Sequence, residues 1–123
     1  DVTIVATGEP AYPALMAGQV LEKEGFSCRV ISMHTIKPLD KETLLKAAGD
    51  TKAIITVEEH CVYGGLGSAC AEVLMETGVS VPFKIVGIPD EYTVTGSQVD
   101  IFAHYGITPE GLADTALKLL QSK

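Results

Sequence analysis

The run Val2-Thr3-Ile4-Val5-Ala6 is short, β-branched and apolar on both of its alternating faces. Such a strand cannot leave one face in water, so it belongs in a sheet covered on both sides, as parallel sheets are. Residues 27–32, 53–57 and 83–88 read as three further strands. Helical patterns separate them. Pro10 and Pro13 bracket the first helix start, where proline is tolerated. Ala14, Leu15, Ala17, Gly18 and Leu21 make its apolar face up to Glu24, and Gly25 stops it. Asp40 is placed to cap a short second helix with Leu44, Leu45 and Ala48 inward and Gly49 closing it. Leu66, Cys70, Val73 and Leu74 recur at helical spacing in a third, which runs to Thr77 and ends at Gly78. Ser97 can cap a fourth through Ile101 and Phe102 towards His104, with Gly106 as its stop. Thr108-Pro109 reads as N-cap and first residue of the last.

Strands alternating with helices predict βαβ units joined by right-handed crossovers. The expected fold is α/β, a three-layer α/β/α domain around a mostly parallel, doubly wound sheet. At 123 residues the chain makes one domain, 1–123. It opens on Asp1 directly before a strand, which points to a piece of a longer polypeptide.

In doubly wound sheets ligands gather at the carboxyl ends of the strands. Here those ends are Thr7-Gly8, Met33-His34-Thr35, Glu58-Glu59-His60 and Ile88-Pro89-Asp90. The third is the richest, because Gly64-Gly65-Leu66-Gly67-Ser68 follows and opens a helix. Glycines at a helix start expose backbone N–H groups to an anion. Glu58, Glu59, His60, Gly64, Gly65, Gly67 and Ser68 therefore form the candidate rim, facing either an anion or a neighbouring domain. The competing reading is packing. The glycines would let strand and helix approach, one glutamate would bond a local backbone N–H or a neighbouring domain, and the other would reach solvent.

Neighbours on a strand point to opposite faces, so Glu58 and Glu59 do not converge as an acid/base pair. Gly65-Leu66-Gly67 lacks the third glycine of a dinucleotide fingerprint, since Cys70 stands there, and Lys84 lies near the place of the ribose-binding acid. No phosphate-loop pattern occurs. His60 and Cys61 are adjacent, a poor geometry for a nucleophile and its base. His104 follows Asp100 by four residues, the spacing of a surface helical pair, and His34 is isolated. Cys28, Cys61 and Cys70 show no Cys-x-x-Cys, which argues against a zinc ribbon or a disulfide framework. Cys28 and Cys70 fall in strand and helix patterns as core thiols, and a reducing, cytoplasmic setting suits them. A net charge of −7 disfavours nucleic acid as a partner, and no apolar run approaches the ~20 residues of a membrane span. No catalytic, cofactor-binding or metal-binding residue is assigned. From the residues alone, an anion- or nucleotide-binding regulatory module stays open beside a structural domain.

Four segments, in order, give the chain a family resemblance: Val2-Thr3-Ile4-Val5-Ala6-Thr7-Gly8; Val30 through Thr35-Ile36-Lys37-Pro38-Leu39-Asp40; Val57-Glu58-Glu59-His60 with Gly64-Gly65-Leu66-Gly67-Ser68-Ala69; and Gly87-Ile88-Pro89-Asp90-Glu91-Tyr92 through Gly96-Ser97 and His104-Tyr105-Gly106-Ile107. Together they resemble the C-terminal domain of transketolase-type, thiamine-diphosphate-dependent enzymes, or that part of a split transketolase C-terminal subunit. Glu9-Pro10 and Thr93-Val94-Thr95 depart from the usual transketolase pattern. Deoxyxylulose-phosphate synthases and the β chains of 2-oxo-acid dehydrogenases carry related domains. The resemblance implies a parent enzyme of the pentose phosphate pathway that moves a two-carbon ketol unit between sugar phosphates. It implies thiamine diphosphate and Mg²⁺ held by other domains, because the Gly-Asp-Gly motif is missing here: Gly49-Asp50 is followed by Thr51. The implied partners are the pyrimidine- and diphosphate-binding domains of that enzyme, in a homodimer. The domain itself would bind no cofactor and would not be catalytic.

Overall fold

A computed structural model of the chain describes residues 1–33, 39–61, 65–88 and 98–121, with backbone alone at 60, 61 and 98–100. Four strands, β1 (Val2–Ala6), β2 (Cys28–Ser32), β3 (Ala53–Cys61) and β4 (Phe83–Ile88), form one sheet in the order β2-β1-β3-β4. Every pairing is parallel. β1 is buried along its whole length, as its two-faced apolar run requires.

Among the described residues the helices are α1 (Ala11–Lys23), α2 (Lys41–Asp50), α3 (Leu66–Thr77), α4 (Gln98–His104) and α5 (Pro109–Gln121). The chain steps from β1 to β2, then crosses back to β3 and on to β4. Right-handed crossovers in opposite directions put their helices on opposite faces. One core accordingly joins α1 and α5 to Val2, Ile4, Ala6, Ala53, Ile55 and Val57. The other joins α2 and α3 to Val5 and Ile54. This is the doubly wound three-layer architecture that the alternating pattern predicts.

Helix ends follow the capping chemistry in the sequence, with one exception. Asp40 accepts from the Thr43 N–H at 3.2 Å, and Thr108 Oγ1 accepts from the Gly111 N–H at 2.9 Å, closing the N-termini of α2 and α5. The Thr43 hydroxyl and N–H hold the Asp40 carboxyl below its usual range. Gly106, at φ +77°, ends α4, and the Ile107 N–H returns to the Phe102 carbonyl at 2.7 Å. Gly49, expected to close α2, instead lies inside it. The helix runs on to Asp50 because Thr51 satisfies its end, with both its N–H and its hydroxyl on the Ala47 carbonyl. Leu15, expected on the buried face of α1, is half exposed. The contact face there is made of Ala14, Ala17, Gly18 and Leu21, which let α1 lie close to the sheet. The expected Ser97 cap lies outside the described residues.

Candidate functional site

The third strand is longer than the apolar run from which it was predicted. It continues past Val57 through Glu58, Glu59, His60 and Cys61. A charge is costly in a strand buried on both faces. Glu58 is nevertheless only 1% exposed. Its carboxylate is compensated by the start of the next helix. Oε1 accepts from the Leu66 N–H and Oε2 from the Gly67 N–H, each at 3.0 Å. These are among the N–H groups that a helix leaves without intrahelical partners, and they sit at the positive end of its dipole. A strand carboxylate thus caps α3 from outside the helix, where Gly65 at the N-cap has no side chain to do so.

The glycines shape this contact. A Cβ on Gly65 would collide with Glu58 Oε1. A Cβ on Gly67 would lie 2.5 Å from Ile85 Cγ2 and 2.8 Å from Thr56 Oγ1. The two positions therefore hold glycine for lack of space, one against the carboxylate and one against the sheet, with no need for unusual backbone angles. Ser68 is half-buried in the first turn of α3. Gly64 and the His60 and Cys61 side chains lie outside the described residues.

Glu59 points the other way, as strand alternation demands. Its Oε1 is 3.0 Å from where a Cβ on Gly8 would stand, in the turn after β1. The two glutamates are split between the faces of the sheet and do not form a carboxylate pair. His104 is exposed and sets its ring edge-on to Tyr105, with centroids 4.8 Å apart. The Asp100 side chain, its expected partner, lies outside the described residues, as does His34. Among the described residues no group of three His, Cys, Asp or Glu side chains is placed to hold a metal ion, and no helix is long and apolar enough to cross a membrane.

Cys70, one turn into α3, is fully buried, and its thiol is pushed up to about 12 by burial and then by the Glu58 charge. Cys28 packs half-buried against the first core, and its thiol is pushed up to about 11 by burial and then by Glu22. Raised thiols favour the neutral form in the fold over the unfolded chain, where the ordinary value is 9.0. Their stabilising contribution is complete below that pH and is lost as pH rises towards 11 and 12. Urea midpoints are therefore expected to fall between pH 7.5 and 10, with iodoacetamide reaching Cys70 only in denaturant. Equal midpoints, or rapid labelling of the folded thiol at pH 7.5, would contradict this assignment.

A diphosphate needs exposed N–H donors or a cation. At the glycine-rich start of α3 two N–H groups are already given to Glu58, and the carboxylate opposes a second anion. These residues do not fit the diphosphate group of a thiamine cofactor.

Comparison with known proteins follows the same lines. The family profile "Transketolase, C-terminal domain" matches residues 1–112. The chain is 49% identical over 121 residues to one subunit of the apulose-4-phosphate transketolase of Phocaeicola vulgatus, covering 98% of this chain and 38% of that protein. It is 44% identical over 119 residues to 1-deoxy-D-xylulose-5-phosphate synthase of Heliobacterium modesticaldum, covering 97% of this chain and 18% of that protein. Among solved structures, a split-gene transketolase, an inactive beta4 tetramer, superposes with a TM-score of 0.86 at 43% identity, over 98% of this chain and 38% of that one. The chain thus spans well under half the length of the relatives it matches.

Proposed function

The chain belongs to the transketolase C-terminal domain family, and from that premise we propose that it is the structural, assembly-supporting domain of a transketolase-type subunit and is not catalytic by itself. The parent enzyme transfers a two-carbon ketol unit between sugar phosphates, in pentose phosphate metabolism and in the cytoplasm. It uses thiamine diphosphate and Mg²⁺ bound by its pyrimidine- and diphosphate-binding domains, and works as a homodimer or a higher assembly of such pairs. The names of the transketolase relatives support the activity and the subunit character. The observation that carries the non-catalytic reading is Glu58. The glycine-rich helix start on the rim gives its Leu66 and Gly67 N–H groups to the chain's own carboxylate, so this joint serves the fold. Of the candidate rim, Glu58, Gly65 and Gly67 are taken up by this joint; Glu59, His60, Gly64 and Ser68 are read as the interface edge, and the anion-binding alternative loses its main donor set.

Calorimetric titration of the chain with thiamine diphosphate and Mg²⁺, with its fold checked by circular dichroism, is expected to give no binding heat at millimolar ligand. Stoichiometric tight binding would overturn the proposal. The 44% identity to a deoxyxylulose-phosphate synthase favours one second reading, in which the parent is such a synthase. Formation of 1-deoxy-D-xylulose 5-phosphate by the parent enzyme, in place of ketol transfer, would select it.

A further inference from the structure

One row of paired residues crosses the sheet from edge to edge as Val30, Ile4, Ile55 and Lys84. The first three belong to the core under α1 and α5. The fourth, on the edge strand β4, is a lysine. Its neighbour Phe83 packs against the opposite core, so strand alternation puts Lys84 on the α5 side. There it lines a shallow groove with Thr115, Lys118 and Leu119. The residue is exposed, its methylenes prolonging the apolar row and its ammonium group in water. Among the described residues no carboxylate pairs with Lys84, whereas Lys118 is held by Asp114 at 3.0 Å. Basic residues occur in this sheet only on its two edge strands, and the other one, Arg29 on β2, is paired with Asp50. Among the described residues no strand lies against the outer side of β4. Val86 and Gly87 are buried, so the open part of that edge is 83–85.

We propose that Lys84 keeps β4 from pairing with the β4 of a second copy. An open edge made otherwise of Phe83, Ile85, Val86, Gly87 and Ile88 is a template for another strand, and a charge on the core-facing side of an edge strand works against such pairing. A second copy adding its β4 there would extend the row and set a side chain within about 5 Å of Lys84. Lys84 would then lose water without gaining a counter-ion. In a two-fold pairing both unpaired ammonium groups enter one seam of six residues, and like charges on facing strands repel. This role does not depend on what the parent enzyme catalyses.

The test uses the full parent polypeptide and its Lys84→Val, Lys84→Arg and Lys118→Val variants, each checked for folding by circular dichroism. Sedimentation velocity over a range of concentrations follows association beyond the wild-type assembly, and amide hydrogen exchange locates it. Lys84→Val is expected to strengthen that association tenfold or more and to slow exchange at 83–85. Lys84→Arg keeps the charge and is expected to sediment as the wild type does. Lys118→Val removes the same charge and adds the same apolar surface in the same groove, but on α5, and is expected to change association less than twofold. If Lys84→Val does not yield folded protein, Lys84→Thr replaces it, since it removes the charge without the added apolar surface. A Lys84→Val or Lys84→Thr protein that sediments like the wild type would overturn the proposal. So would equal association in Lys118→Val or Lys84→Arg, or association that leaves exchange at 83–85 unchanged.

Discussion

Glu58→Ala is expected to destabilise the domain by about 3–5 kcal/mol, a large share of the roughly 5–15 kcal/mol that holds a domain of this size together. The figure follows from what the truncation leaves behind. Two N–H groups lose a charged acceptor, each such bond contributing about 1.5–3 kcal/mol when the acceptor is ionised. The favourable placement of a carboxylate at a helix N-terminus is lost as well, about 0.3–2 kcal/mol according to burial. Because Glu58 is 1% exposed, neither solvent nor salt screens these terms appreciably. Water entering the vacated space offsets part of the loss, which keeps the total below the sum of the parts. The melting temperature should fall by roughly 10–20 °C. Glu58→Gln keeps the shape and one acceptor oxygen but turns an N–H₂ towards a helix donor, so about half of that loss is expected. Urea denaturation monitored by circular dichroism measures both. A loss below about 1 kcal/mol for the alanine variant would show that the carboxylate does not hold the helix start.

The fold was legible because its determinants are local. Val2–Ala6 is a short run buried along its whole length, Phe83–Ile88 is a β-rich stretch, and the chain supplies Thr108, Gly78 and Gly106 where helices must begin or end. Gly49 and Leu15 were misread because their roles depend on neighbours that spacing does not reveal: the Thr51 hydroxyl in one case, a contact face of small residues in the other. The joint between β3 and α3 was half legible. Strand alternation placed Glu58 and Glu59 on opposite faces, and a glutamate bonded to a local backbone N–H was one of the readings the residues allowed. What the sequence could not show was that the acceptor for the α3 N–H groups stands eight residues earlier on a strand. N-cap reasoning looks for Ser, Thr, Asp or Asn immediately before the helix, and here that position is Gly65. The usable signal was a buried-strand pattern running into a glutamate, followed by a helix start with no capping side chain. Two unsatisfied needs of opposite sign, so close in the chain, imply each other.

That mutual dependence gives the joint its sharpest test. Gly65→Ala is expected to cost about 2–4 kcal/mol, although a glycine-to-alanine change at an N-cap ordinarily costs no more than about 1 kcal/mol. The excess arises because the new Cβ takes the place of Glu58 Oε1, and the expelled carboxylate leaves its two helix donors unpaired. In a Glu58→Ala background the obstruction is gone, so the same substitution should cost less than about 1 kcal/mol, a coupling of about 1–3 kcal/mol between the two positions. Gly67→Ala serves as the contrast. Its Cβ meets Ile85 Cγ2 at 2.5 Å and Thr56 Oγ1 at 2.8 Å, an overpacking of about 1–3 kcal/mol that Glu58 does not cause. That cost should survive in the Glu58→Ala background and shrink with Ile85→Ala, which clears both of the side-chain carbons in the way. If Gly65→Ala costs the same with and without Glu58, the glycine answers to the backbone alone, and the carboxylate is not what shapes the turn into α3.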